Sequence, residues 1–204
     1  MEKKTVFVLG DSISIHYGPF LKKMINCKYN YQQKGKNVDA LRELDKPVGA
    51  NAGDSNMCLE YLRNEYKKDA NYNILLMNCG LHDIRVDRIT KKIQTEEWQY
   101  RENLNRISEI ALKMSDRVIW ITTTPVVDSI HNRRSGGFLR YSKDVIIYNS
   151  IAEKVMDDYQ IPCIDMYSLT NSLGNDIYCD HVHFKEEVRA LQAAFISEYL
   201  LGIR

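Results

Sequence analysis

Ser12 lies in the tripeptide Gly10-Asp11-Ser12, directly after an apolar run, and Asp180 and His183 lie in Asp180-His181-Val182-His183, directly before the last helix-like stretch. A serine hydroxyl is a poor nucleophile at neutral pH. It needs a base within hydrogen-bond reach, and that base needs a third group to hold its tautomer and offset its positive charge. His183 is suited to the first task and Asp180 to the second. Asp180 precedes His183 by three residues, a spacing that puts both side chains on one side of a helical turn. Taken alone, Ser12 would serve equally well as the N-cap of a helix. The serine and the histidine sit at opposite ends of the chain, so they meet only if the fold gathers both ends at one edge. An open parallel sheet does this, because residues that follow different strands collect along the rim at the strands' carboxyl ends.

The elements that must do the positioning alternate between strand-like and helix-like patterns, the signature of βαβ units and a parallel sheet. Thr5 to Leu9 is a continuous apolar, β-branched run of the kind a doubly covered strand needs. A helix is predicted over Ile13 to Ile25, broken near its start by Gly18-Pro19, followed by a weaker strand over Lys28 to Gln33. Lys34 to Ala52 reads as connection with a short helix over Asp39 to Leu44, and Asp54 to Lys68 as an amphipathic helix with Met57, Leu59, Tyr61, Leu62 and Tyr66 on its apolar side. Asn73 to Cys79 is the next buried strand, then come a helix over Glu96 to Met114 and a strand over Arg117 to Thr122. Val127 to Arg140 has no period and is expected to be a loop over the same rim. Tyr141 to Tyr159 returns to helix, Pro162 to Ile164 is a short strand, and Asp165 to Asn171 a helical turn. Lys185 to Leu200 closes the chain as a helix with Val188, Leu191, Ala194, Phe195 and Tyr199 on one face. The prediction is a single α/β domain over residues 1–204: a three-layer α/β/α, flavodoxin-like build with a mostly parallel sheet of about five strands.

Four strand-to-loop junctions then carry chemistry: Gly10-Asp11-Ser12, Asn51-Ala52-Gly53-Asp54-Ser55, Gly80-Leu81-His82-Asp83 and Asp180-x-x-His183. In order and spacing through nearly the whole chain this pattern resembles the SGNH (GDSL) hydrolase superfamily. Its members carry serine in a Gly-Asp-Ser turn, a glycine in a second block, asparagine in a third Gly-x-Asn-Asp block, and Asp-x-x-His near the C-terminus. The resemblance implies a serine esterase in which Ser12 is the nucleophile, His183 the base and Asp180 its partner. It also implies an oxyanion hole built from the Ser12 N–H, the Gly53 N–H and the third-block side chain, donors worth several kcal/mol of barrier. The third block departs from the family, because His82 stands where asparagine is usual. A histidine can donate from one ring nitrogen, and such an imidazole is expected to titrate near neutral pH. The alternatives are that Gly53 is a plain turn glycine and that His82 only packs beside the site. Asp11 is read as bracing the nucleophile turn.

Arg85, Arg88, Arg133, Arg134 and Arg140 all fall on segments placed at the active rim. With Asp11, the arginines Arg85, Arg133 and Arg134 are candidate substrate-binding residues that could steer an anionic substrate; scattered loop arginines are also commonly just solvated. His181, His183 and His82, or His16 and Asp11 with them, could be imagined as metal ligands. No compact set of three is indicated by spacing, so neither a metal nor another cofactor is assigned. The five cysteines (Cys27, Cys58, Cys79, Cys163, Cys179) show no Cys-x-x-Cys spacing and are odd in number, which suggests neither a disulfide framework nor a zinc ribbon. They are expected to be mostly small core residues, with neither Cys79 nor Cys179 at a turn that would expose it.

At 204 residues with 44% hydrophobic and 27% charged content, the composition is that of a soluble globular protein. A formal net charge of +1 gives no sign of nucleic acid or anionic lipid as a partner. The N-terminal apolar run is too short for a signal peptide or a membrane span, which reads as cytoplasmic. The expected substrate is a small-molecule or carbohydrate ester with a short, possibly acetyl, acyl group, since no extended apolar lid is evident. Lysophospholipase, thioesterase and acyltransferase activity are alternatives on the same site. A metal-assisted hydrolase and a non-catalytic binding module are alternatives of other classes. The oligomeric state is left open.

Overall fold

The computed structural model describes residues 3–202. Five parallel strands form the central sheet: β1 (Lys4–Leu9), β2 (Tyr29–Gln33), β3 (Tyr72–Met77), β5 (Ser115–Ile121) and β7 (Cys163–Ile164), in the order β2-β1-β3-β5-β7. That is the flavodoxin-like order. The register runs Val6 opposite Tyr31 and Ile74, and Leu76 opposite Ile119, so the apolar runs sit side by side at the centre. Val6, Leu75, Leu76 and Ile119 are fully buried, as parallel strands covered on both faces must be.

Helix α1 (Ser12–Ile25) packs with α8 (Glu186–Gly202), while α3 (Ser55–Tyr66), α4 (Glu97–Lys113) and α6 (Ser142–Asp158) pack against one another. These two groups are the outer layers of the sandwich. The expected break at Gly18-Pro19 does not occur, and α1 runs through Pro19. Ile13, Tyr17, Leu21 and Ile25 lie on one stripe and are all buried, and that burial outweighs the roughly 3 kcal/mol a proline removes from a helix interior. Short α2 (Asn37–Leu41) begins before the expected Asp39 and lies in the connection that leads to the second block.

Two other sequence readings are corrected. The stretch expected to be loop from Val127 to Arg140 contains α5 (Asp128–Arg134) and β6 (Phe138–Leu139), and β6 pairs antiparallel with β4 (Val86–Asp87). Both elements are too short to leave a period; their order comes from long-range bonds. Arg88 Nη2 donates to the carbonyls of Asn132 and Ser135, and Asp128 accepts the Ser142 N–H at 2.6 Å. The buried face of α8 is also rotated from the expected one. Val188, Gln192, Ala193, Ile196 and Leu200 face inward, whereas Leu191 and Ala194 are exposed and Phe195 and Tyr199 only partly covered. Gln192 can be buried because its Nε2 donates to Thr170 Oγ1 on α7 (Met166–Ser172). A helix apolar on several sides does not reveal its inward face by hydropathy alone. No helix among the described residues is long and apolar enough to cross a membrane.

Candidate active site

β1 ends at Gly10, where a side chain would press on Ser14 Cβ at 2.9 Å and where the Gly10 carbonyl accepts the Ala52 N–H. A glycine there lets the chain turn closely into α1. Asp11 is the N-cap of α1, its Oδ1 accepting from the Ile13 N–H at 2.9 Å, which makes Ser12 the first helical residue. The Ser12 N–H therefore has no acceptor within the helix and points out of its positive end. Asp11 is 1% exposed and braces the turn through its bond from the Ile13 N–H; burial pushes its pKa up.

Ser12 Oγ lies 2.7 Å from His183 Nε2, and His183 Nδ1 lies 2.7 Å from Asp180 Oδ2. A carboxylate can only accept, so Nδ1 carries the proton and Nε2 accepts from the serine hydroxyl. Residues 179–182 form bends and no helical turn, contrary to the expected reason for the Asp-x-x-His spacing. Asp180 reaches the imidazole because its Oδ1 accepts the N–H groups of Val182 and His183, at 2.8 and 2.7 Å, folding the tetrapeptide back on itself. Burial would raise the Asp180 pKa, but the His183 hydrogen bond and charge and these two N–H groups hold it well below the carboxylate range.

All five histidines of the chain gather here. The His16 and His181 rings lie 5.0 and 5.8 Å from that of His183, His131 lies 4.9 Å from His181, and His82 is within electrostatic reach of His183. Among the described residues no three or more His, Cys, Asp or Glu are arranged to hold a metal ion. His181 Nε2 instead meets Asp45 Oδ1 at 3.2 Å. The expectation that His82 titrates near neutrality is corrected. His82 is 3% exposed, and burial together with Arg85 and Arg140 drives its pKa well below 6.5.

Gly53 has a φ of +77°, and a side chain there would meet Met57 Sδ at 2.6 Å. Its N–H is already donated to Asn51 Oδ1 at 3.0 Å, so an oxyanion would have to share or displace that bond. Asp83, next to His82, accepts from the N–H and Oγ–H of Ser55, at 2.9 and 2.5 Å, and so ties the third block to the start of α3. Burial raises the Asp83 pKa to about 7.

The rim arginines mostly bind the protein itself. Arg134 Nη1 donates to the Asp180 carbonyl at 2.9 Å, and Arg85 Nη2 donates to the Asp45 carbonyl at 2.5 Å. Arg133 is exposed on α5 and touches none of these groups. Arg85 also lines an open polar groove with Thr90, Lys92, Gln94 and Phe138. Cys79 is buried and its thiol pKa is raised by burial, but Cys179 and Cys27 are exposed, which corrects the expectation of core cysteines. Asp45 and Asp83 carry no local signal of their roles, since each acts through a partner distant in sequence, His181 and Ser55.

No protein-family model matches the chain, and no curated protein matches it in sequence. Solved structures do match in fold over nearly the full length. A lipase/acylhydrolase from Enterococcus faecalis aligns with a TM-score of 0.70 at 18% identity, covering 98% of this chain and 96% of its own. Axe2, an acetylxylan esterase from Geobacillus stearothermophilus, aligns at 0.69 and 10% identity, covering 98% and 95%. Est24, a carbohydrate acetylesterase from Sinorhizobium meliloti, aligns at 0.63 and 11% identity, covering 99% and 100%. The chain therefore shares the fold of these hydrolases, as it does that of a putative SGNH hydrolase from Slackia heliotrinireducens.

Proposed function

We propose that the protein is a serine esterase acting on short-chain acyl esters, acetyl esters of carbohydrates among them. The observation that carries this reading is the continuous pair of 2.7 Å hydrogen bonds from Ser12 Oγ through His183 to Asp180. In the proposed reaction Ser12 Oγ attacks the acyl carbonyl while its proton passes to His183 Nε2. The imidazolium formed is stabilised by Asp180, which stays ionised because its pKa is held low. Collapse of the tetrahedral intermediate expels the alcohol, which takes the proton from His183. Water, activated by the same nitrogen, then hydrolyses the acyl-serine.

The oxyanion is received by the Ser12 N–H at the positive end of α1 and by His82, with Gly53 as a shared donor. The similarity in fold to an acetylxylan esterase and to a carbohydrate acetylesterase supports an acetyl group on a sugar. The test is hydrolysis of p-nitrophenyl acetate and of acetylated xylo-oligosaccharide by the wild type and by Ser12→Ala. The variant should lose at least about a thousandfold in kcat. Equal rates in the two proteins would overturn the reading.

A further inference from the structure

Arg140 is 1% exposed, and among the described residues no carboxylate lies within ion-pair distance of it. Its Nε donates to the Leu81 carbonyl at 2.6 Å, and its Nη1 donates to His131 Nε2 at 3.0 Å. His131 can accept because its other nitrogen, Nδ1, gives its proton to Asn132 Oδ1 at 3.1 Å, and the same Asn132 oxygen accepts the Arg140 N–H at 2.9 Å. Arg140 and Arg85 both lie over the ring of Phe138, at 4.7 and 4.2 Å from its centroid. A buried cation is costly, and filling this volume with an apolar side chain would cost less. Packing alone therefore does not account for it.

The bond to Leu81 does. The Leu81 carbonyl and the His82 N–H belong to one planar peptide unit, so fixing the carbonyl fixes the plane from which the His82 side chain departs. The rest of that turn is held by the Ile84 N–H on the Gly80 carbonyl and the Arg85 N–H on the His82 carbonyl. We propose that Arg140 is a positioning residue for the oxyanion site: braced by His131, Asn132 and Phe138, it orients His82 through the Leu81 carbonyl. The proposal rests on His82 being an oxyanion donor.

A second consequence concerns charge. The ionisable groups facing His82 are Arg85, Arg140, Asp45 and His183, and burial with the two arginines outweighs Asp45. His82 thus stays a neutral donor, as an asparagine would be, while two nearby cations add positive potential where the oxyanion develops. Arg140 remains a cation at neutral pH even though burial and Arg85 lower its pKa to about 9.

The experiment compares wild type, Arg140→Met and Arg140→Lys in kcat and KM per folded molecule, and follows the His82 ring signal by NMR between pH 5 and 8, assigned with His82→Gln. Arg140→Met should lose about tenfold to a hundredfold in kcat, with KM changed by less than about threefold. Its His82 signal, flat in the wild type, should titrate at higher pH than before, because one of the two nearby cations is gone while burial and Arg85 remain. Arg140→Lys should keep the flat titration but recover only part of kcat, because an ammonium does not reproduce the guanidinium fork. A kcat within about twofold of wild type in both variants would overturn the proposal. Should Arg140→Met fail to fold, Arg140→Lys decides alone: an undiminished kcat overturns the positioning role and a reduced kcat at constant KM supports it. If Ser12→Ala proves fully active, the esterase reading falls, while the His82 titration still reports whether Arg140 governs that imidazole.

Discussion

A serine that opens a helix is ordinary, and what sets Ser12 apart is the acceptor nitrogen 2.7 Å from its oxygen. The same holds for His82, whose type would suit a proton carrier but whose surroundings deny it the proton. Burial, Arg85 and Arg140 all disfavour the imidazolium, so the donor role proposed for it falls to a neutral N–H. His82→Ala should therefore lower kcat about a hundredfold with little change in KM, measured on p-nitrophenyl acetate, since the bond strengthens only as the oxyanion forms. A loss of no more than a few-fold would place His82 beside the site and outside its chemistry. Ser12 and His82 stand out in the sequence in short motifs after strands, and Asp180 and His183 in a short motif before the last helix. The protonation of His82 does not, because its first cause, burial, and the approach of Arg140 are both set by packing.

At the scale of elements, the rim is assembled by side chains that cross between blocks. Asp83 accepts two bonds from Ser55 at the start of α3, and Asn103 on α4 donates to Ser55 Oγ at 2.9 Å, so the third block, the second block and a helix share one buried network. Asp83→Ala leaves the Ser55 N–H and hydroxyl without their acceptor in a dry interior. It should cost about 2–4 kcal/mol in urea unfolding. A cost below about 0.5 kcal/mol would show that the network is dispensable. The strand-and-helix alternation was readable from hydropathy, since long buried strands leave continuous apolar runs. The small sheet of β4 and β6 and the helix α5 were not readable. Their few residues are ordered by Arg88, Asn132 and Arg140, and a pattern that short resembles loop.

For the whole molecule, gathering every histidine in one buried rim couples stability to pH. In an unfolded chain each imidazole takes up a proton near pH 6.5, whereas in the fold His16 does so only at about 4, His131 at about 3, and His82 is also lowered. Burial is the first cause for each. Below pH 6.5 the unfolded state therefore binds more protons, and stability present above that pH is lost as pH falls. Asp83 opposes this between about 4 and about 7, because its raised pKa keeps a proton in the fold, and so in direction do Asp11, Asp144 and Glu153, while three imidazoles act the other way. The thermal midpoint should drop by at least about 5 °C between pH 7 and pH 5, and the drop should be shallower in His131→Gln. A midpoint that is flat or rises on acidification would contradict the account. We further expect the chain to unfold in one cooperative step, as a single domain. By itself the sequence determined the parallel α/β layout and the side chains able to carry acyl chemistry, because strand burial and strand-end motifs are local properties written in consecutive residues. Only the tertiary structure decided the inward face of α8 and the Arg140 bond to the Leu81 carbonyl beside His82. Each of these depends on which distant residues share a volume, and hydropathy carries no record of that.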